Sequence, residues 1–151
     1  MINVFTSEGA AHFIDRIQQL MPDTKPKWGK MTVDQMLAHC NVTYELVYTD
    51  KHPRPKNPFI RWVLKTYVKK VVVSEEPYKH NLKTAPHFLI TQKKDFENEK
   101  QRLIEHIKKT QELGTDYFEG RESHSFGTLT KTEWNTMFAK HLDHHLSQFG
   151  V

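Results

Sequence analysis

The chain has 151 residues, a length that fits one domain with a single hydrophobic core. It carries 22 Lys and Arg against 18 Asp and Glu, a net charge of +4, which excludes a strongly charged disordered chain. No apolar run is long enough for a signal peptide or a membrane span. The single cysteine, Cys40, excludes an intrachain disulfide and favours a reducing cytoplasm. We therefore expect residues 1–151 to form one cytoplasmic domain that does not bind membranes.

Hydrophobic periodicity and capping residues predict five helices, at 7–20, 32–48, 59–73, 95–113 and 130–149. The second and fifth begin with capping boxes, in which Thr32 and Thr130 are each followed three residues later by Gln or Glu. In the second helix the spacing predicts one polar side, formed by Asp34, Ala38, Asn41 and Glu45.

Prolines and glycines mark the connections between these helices. Three prolines in residues 51–58 fix a loop, residues 75–91 read as a long ordered loop, and Gly114 stops the fourth helix. The β-branched run Val71-Val-Val73 leaves a short strand open as an alternative at the end of the third helix. The predicted fold is all-α, a four-helix antiparallel bundle with an additional short helix, long ordered loops and little or no sheet.

The middle of the chain is basic, because residues 51–100 hold 12 Lys and Arg against 5 Asp and Glu. Such a region can meet phosphate, nucleic acid or an acidic membrane surface, but a solvated face with scattered lysines explains it better. Trp62 and Tyr67 alternate with basic residues. We expect these aromatics to pack a basic amphipathic helix against the core, since no base-reading motif accompanies them.

The most informative segment lies near the end of the chain and reads His141-Leu-Asp-His-His145-Leu-Ser-Gln148. On a helix, His141 and His145 point within ~40° of each other, one turn apart, which lets two imidazoles share a metal ion. Both fall on the apolar stripe that also contains Trp134, Phe138 and Phe149. Two imidazoles that face a core need either a metal ion or hydrogen-bond partners, and this segment alone leaves both open.

Three other residues complete the predicted site. A metal held by protein needs at least three ligands, and His39, on the apolar side of the second helix, is the best third candidate. His144 lies ~100° from His145 and fits a boundary residue or one that supports the ligands. Gln148 is three residues past His145 and could orient a ring or a bound water, although a surface position at the helix end fits as well. Cys40 is expected in the core rather than at the site.

Two stretches resemble the DinB-like superfamily, most closely a small bacterial branch of unassigned reaction. They are Trp28-Gly-Lys-Met-Thr-Val-Asp-Gln-Met-Leu-Ala-His39-Cys40 and Phe126-Gly-Thr-Leu-Thr-Lys-Thr-Glu-Trp134, the latter leading into the C-terminal histidine segment. The resemblance implies a four-helix bundle that binds a divalent metal, commonly nickel or zinc, through His39, His141 and His145. It also implies relatives that are thiol-dependent S-transferases or a maleylpyruvate isomerase, with a low-molecular-weight thiol such as bacillithiol or mycothiol as cofactor.

These observations favour a metal-binding bundle that acts as a transferase or hydrolase on a small-molecule substrate. A bound metal could lower the pKa of a thiol or a water in an open coordination position. One alternative is a non-enzymatic stress or interaction protein with a structural metal, and a less favoured one is a nucleic-acid binder. The sequence leaves a homodimer open and gives neither the metal, the substrate nor the physiological role.

Overall fold

The computed structural model describes residues 1–82 and 85–151, with the backbone alone for His87. The described chain is predominantly helical. Its helices are α1 (Ser7–Gln18), α2 (Val33–Tyr48), α3 (Pro58–Val63), α4 (Lys69–Val73), α5 (Phe96–Phe118) and α6 (Lys131–Gln148). A π-helical turn, Leu64–Val68, joins α3 and α4 without a break, so these six segments form five continuous helices. A 3₁₀ turn spans Pro86–Phe88. No helix in the described residues is both long and apolar enough to cross a membrane.

Both predicted capping boxes are present. The backbone N–H of Thr32 donates to Gln35 Oε1 over 3.1 Å, and the backbone N–H of Thr130 donates to Glu133 Oε2 over 2.9 Å. The hydroxyl of Thr130 in turn accepts from the backbone N–H of Glu133. These bonds satisfy N–H groups that a helix start would otherwise leave unpaired. The two helices that carry the candidate ligands therefore begin where the sequence predicts.

The core lies between α1, α2, α5 and α6, which contact one another around one apolar cluster. Its largest fully buried side chains come from all four helices and from the segments that flank them: Trp134, Tyr44, Phe13, Phe118, Phe138, Ile17, Leu20, Met36, Leu37, Leu103, Ile107 and Leu129. Cys40 belongs to this cluster, as predicted, and burial raises the pKa of its thiol. A buried neutral thiol is a poor nucleophile.

Three of the four residues of the predicted polar side of α2, Ala38, Asn41 and Glu45, are buried, contrary to expectation, and Asp34 is partly exposed. Asn41 donates to the Glu99 carboxylate over 2.8 Å and accepts from His106 Nδ1 over 2.9 Å. Arg102 bridges the carboxylates of Glu99 and Glu45. Sequence periodicity assigns polar residues to solvent, but here they pair with polar residues of α5, which removes the cost of burying them. The pairing fixes the rotation of α2, so that its opposite face meets α6.

A small β-hairpin occupies a region predicted as a loop. Strands β1 (Arg121–Ser123) and β2 (Gly127–Leu129) pair antiparallel between α5 and α6. Three-residue strands are too short to show an alternating pattern, which is why the sequence does not indicate them. The predicted stop at Gly114 is real, because that residue adopts φ 67° and interrupts α5, but one more helical turn follows it.

The third predicted helix is helical to its end, so the strand alternative at Val71–Val73 is wrong. Its attachment to α6 depends on Lys140, whose buried ammonium donates to the carbonyls of Val71, Ser74 and Glu76 over 2.5–3.1 Å. These carbonyls lie at and just beyond the C-terminal end of α4, where a helix leaves acceptors unpaired and favours a cation. The expected packing of Trp62 and Tyr67 against the core is also wrong, since these side chains are 51% and 58% exposed.

Candidate metal centre

The three predicted ligands converge between α2 and α6. One ring nitrogen from each of His39, His141 and His145 lies within 4.8 Å of the others, the spacing of a group that could hold one metal ion. The ring centroids are 4.5–5.0 Å apart. His39 and His145 are buried and His141 is partly buried. The i, i+4 spacing on α6 and the rotation of α2 together bring these rings to one point.

Each of these imidazoles has a second partner at Nδ1. His39 Nδ1 lies 2.9 Å from the backbone carbonyl of Phe88, His141 Nδ1 lies 3.2 Å from the hydroxyl of Thr43, and His145 Nδ1 lies 2.9 Å from Gln148 Oε1. A carbonyl oxygen can only accept, so the Nδ1 atoms of His39 and His145 carry the protons. The Nε2 lone pairs of these two rings are therefore available inside the cluster.

Gln148 connects the cluster to the loop before α2. Its amide nitrogen donates to the carbonyl of Trp28 over 2.7 Å, which fixes the amide orientation and turns Oε1 towards His145. The backbone carbonyl of Gln148 also accepts from the N–H of Lys27 over 2.7 Å. Gln148 is buried rather than at the surface, so its contact with a ligand ring agrees with the first of the two roles considered from sequence.

One direct contact within the cluster joins His39 Nε2 and His141 Nε2 over 3.0 Å. Because His39 Nδ1 holds a proton, His39 Nε2 is the acceptor in a neutral ring and His141 Nε2 is the donor. His141 Nδ1 then accepts from the Thr43 hydroxyl. A continuous row of hydrogen bonds runs from Thr43 through both rings to the Phe88 carbonyl.

Burial keeps the cluster neutral. Loss of solvent lowers the pKa of His39, and the backbone carbonyl of Phe88 opposes the shift only in part. The pKa of His141 falls well below its ordinary value for the same reason, with further lowering from the neighbouring imidazoles. Burial likewise lowers the pKa of His145 to about 3. Neutral imidazoles are the form that binds metal ions.

His144 is not one of the three clustered ligands, although its ring lies edge-on against that of His145 at a centroid distance of 5.0 Å. Its ring makes edge contacts with Trp28 and Tyr78, at centroid distances of 5.9 and 5.6 Å. Trp28 itself stacks on His80 at 3.9 Å. These side chains line a cavity of about 400 Å³ beside α6, while a second cavity of about 380 Å³ lies between the 49–54 loop and the β-hairpin. None of the three candidate ligands lines either of these cavities.

Sequence reasoning missed two partners of the ligand rings. Thr43 lies four residues after His39 on the same face of α2, a spacing that was available as a signal. The Phe88 carbonyl is a backbone group from a long loop, 49 residues from the histidine it contacts. No residue type encodes such a contact, so the sequence holds no signal for it.

A comparison with protein families matches residues 5–150 to DUF1569, a family of proteins of unknown function. The chain belongs to this family. The DinB-like assignment made from the two sequence stretches is therefore wrong, since the family match is to DUF1569 and no DinB-like family matched. The expectations of a thiol cofactor and of S-transferase relatives lose the resemblance that implied them. Comparisons with curated proteins and with solved structures found no match.

Proposed function

We propose that this DUF1569 protein binds one divalent metal ion through the Nε2 atoms of His39, His141 and His145. The observation that carries the proposal is the shared arrangement of the three rings, each with Nδ1 hydrogen-bonded outside the cluster and one ring nitrogen within 4.8 Å of those of the other two. Histidine ligands of metal ions characteristically bond their second nitrogen to a carbonyl, carboxylate or water, which fixes the tautomer and the ring orientation. Phe88, Thr43 and Gln148 supply those partners here.

The donor set favours zinc or nickel. Imidazole nitrogen suits both ions, and three neutral histidines leave the double positive charge of the ion uncompensated. The lowered pKa values of the three rings mean that protons do not compete with the ion near neutral pH.

The function that this site supports best is metal-dependent chemistry on a small molecule, of the hydrolase or transferase type. The described residues supply three ligands, one fewer than the tetrahedral set that closes a structural zinc site. A bound ion with an exchangeable position lowers the pKa of a water or a thiol held there and so generates a nucleophile. The protein's own part is to hold the three rings and keep them neutral.

The first experiment is metal analysis of protein purified without a histidine tag. We expect one zinc or nickel ion per chain, and loss of tight binding in His39→Ala, with His12→Ala as the matched control because His12 is an exposed residue of α1. An unchanged metal content in His39→Ala would contradict the proposed ligand set. A chain that takes up no divalent ion from any of the metals offered would contradict the metal site as a whole.

Cobalt substitution separates a working site from a structural one. The visible spectrum of Co²⁺ reports its coordination, so azide or a small thiol that enters an open position should change the spectrum reversibly while circular dichroism stays constant. A spectrum that ignores both ligands would indicate a closed site. The protein would then be a non-enzymatic metalloprotein, and the catalytic part of the proposal would be wrong.

A further inference from the structure

The charged side chains of the segment that contains α3 and α4 are all positive. Residues 51–73 include seven Lys and Arg and no Asp or Glu. Three of these cations bond back to the body of the protein, Lys51 to Glu45, Arg54 to Glu122 and Lys69 to Glu133. Arg61 and Lys70 are exposed on the helix itself. The helix therefore presents a positive surface that is tied to the domain at its flanks.

Three aromatic rings stand on the outside of this helix and touch one another. Phe59, Trp62 and Tyr67 are 68%, 51% and 58% exposed. The centroids of Phe59 and Trp62 are 5.9 Å apart, and those of Trp62 and Tyr67 are 5.6 Å apart. We call these three residues the α3 aromatic row. No residue of 58–73 is fully buried, so the row is not the edge of a core cluster.

The π-helical turn aligns the row. In a regular α-helix, residues five apart point ~140° away from each other, which would place Trp62 and Tyr67 on different faces. Here the backbone N–H of Lys69 bonds to the carbonyl of Leu64, five residues back, and the helix widens locally. The wider turn brings Tyr67 next to Trp62. The irregularity thus builds a continuous aromatic surface rather than interrupting one.

Two aliphatic side chains of this helix are exposed as well. Ile60 and Val71 are 48% and 53% exposed on the same helix. Exposed apolar side chains that touch one another, as the three rings of the α3 aromatic row do, mark an interaction site rather than ordinary surface. Aromatic and aliphatic residues among Lys and Arg, without acidic residues, are the composition of helices that lie in the interface of an anionic membrane.

We propose that the outer face of residues 58–73 docks on the surface of an anionic lipid bilayer. The α3 aromatic row, with Ile60 and Val71, enters the headgroup region, while Arg61 and Lys70 meet lipid phosphates and carboxylates. This site is separate from the metal centre and does not depend on the proposed function. The proposal departs from the expectation that the protein does not bind membranes, which rested on the lack of a long apolar run and on reading the basic region as a solvated face.

Two other occupants fit the surface less well. A second copy of the chain would bring two positive helices together, and like charges repel at such contacts. A nucleic acid would satisfy the charge, but Ile60 and Val71 offer no flat ring on which a base can stack, and the surface is an exposed helix rather than a groove. A lipid surface accommodates the aromatic, aliphatic and cationic side chains together.

The test uses the full chain with vesicles of phosphatidylcholine alone or with roughly 30 mol% phosphatidylserine. We expect co-sedimentation with the anionic vesicles only, weakening as salt is added. Trp62 is the probe, since it is the exposed tryptophan, while Trp134 is buried and Trp28 partly buried. Its emission should shift to the blue on binding, and Trp62→Phe should keep binding but lose the shift.

Paired variants separate the aromatic and the charge contributions. Phe59→Ser should weaken binding about tenfold or more, because a large apolar side chain that is 68% exposed is lost. Met21→Ser removes an apolar side chain that is 59% exposed and lies outside this helix, and it should leave binding unchanged. The double change Arg61→Gln and Lys70→Gln should weaken binding roughly thirtyfold.

The matched charge control removes two exposed lysines elsewhere, by Lys93→Gln and Lys108→Gln, and should weaken binding far less. Equal loss in this control, or no binding to anionic vesicles, would overturn the proposal. A concentration-dependent dimer in sedimentation velocity that Phe59→Ser abolishes would assign the surface to a second copy. Binding of a single-stranded oligonucleotide that Phe59→Ser abolishes, without vesicle binding, would assign it to nucleic acid.

Discussion

Replacement of Gln148 by leucine tests how the metal centre is held. Leucine has a similar volume but cannot accept from His145 or donate to the Trp28 carbonyl. Loss of a group that orients a ligand ring typically weakens metal affinity 10–100-fold. We therefore expect Gln148→Leu to bind one ion at saturation with an affinity lower by about that factor.

The loss of metal affinity can be measured as a loss in the free energy of unfolding. A ligand that binds only the folded state stabilises it by RT ln(1 + [L]/Kd), so a 10–100-fold weaker Kd removes about 1.4–2.7 kcal/mol of the stabilisation by metal. Urea unfolding with metal and with chelator gives this difference directly. The chelated variant should itself lose about 1–3 kcal/mol, because the Trp28 carbonyl loses its donor. The two losses are thus measured separately.

A substitution at Gly29 tests the position of Gln148 independently. Gly29 adopts φ +81°, and a Cβ there would lie 2.5 Å from Gln148 Nε2. Gly29→Ala should therefore weaken metal binding without altering α6, whereas Gln101→Leu, at an exposed glutamine of α5, should not. Wild-type affinity in both Gln148→Leu and Gly29→Ala would refute the reasoning that Gln148 positions His145.

Three further predictions concern the rest of the centre and its frame. His145→Ala should abolish tight metal binding in isothermal titration, whereas His144→Ala should leave stoichiometry near wild type; equal losses would mean that the ligand is misassigned. Lys140→Met should destabilise the fold by about 1–3 kcal/mol in thermal unfolding, because carbonyls at the end of α4 lose their buried donor. Burial lowers the pKa of His106 to about 4, so the unfolded chain takes up a proton as pH falls below 6.5 while the folded chain does not. Stability should therefore fall between pH 6.5 and 4, by roughly 2 kcal/mol after allowance for the partial exposure of the ring, and His106→Asn, still able to donate to Asn41, should flatten that slope in chelator.

Local chemistry made part of this molecule predictable. Capping boxes at Thr32 and Thr130 locate the starts of α2 and α6, because the bonds that satisfy a helix start are made by residues three apart. The histidine cluster was predictable for a related reason. His141 and His145 share a face through helical spacing, and His39 follows from the need for a third ligand.

Contacts between helices that are far apart in the sequence could not be predicted. Asn41 and Glu45 look like a solvent face until α5 supplies Glu99 and Arg102 as partners. Trp62 looks like a core residue, although its side chain is 51% exposed. Sequence motifs around the histidines also misled the family assignment, because helix caps and histidine spacing describe what a site of this kind needs rather than descent.

The row of hydrogen bonds from Thr43 to Phe88 has a consequence for how an ion would enter the site. When no ion is bound, these hydrogen bonds pair both ring nitrogens of His39 and of His141. The folded chain therefore has a stable metal-free state. Uptake requires His141 to move its proton from Nε2 to Nδ1 and the Thr43 hydroxyl to turn from donor to acceptor. All three rings would stay neutral throughout, so the imidazoles themselves would release no proton, and any proton released on zinc binding would come from the water or thiol in the open position. Metal binding would then require a change of tautomer in a protein that is already folded. In cysteine-thiolate sites, by contrast, metal binding displaces protons from the ligands and drives folding.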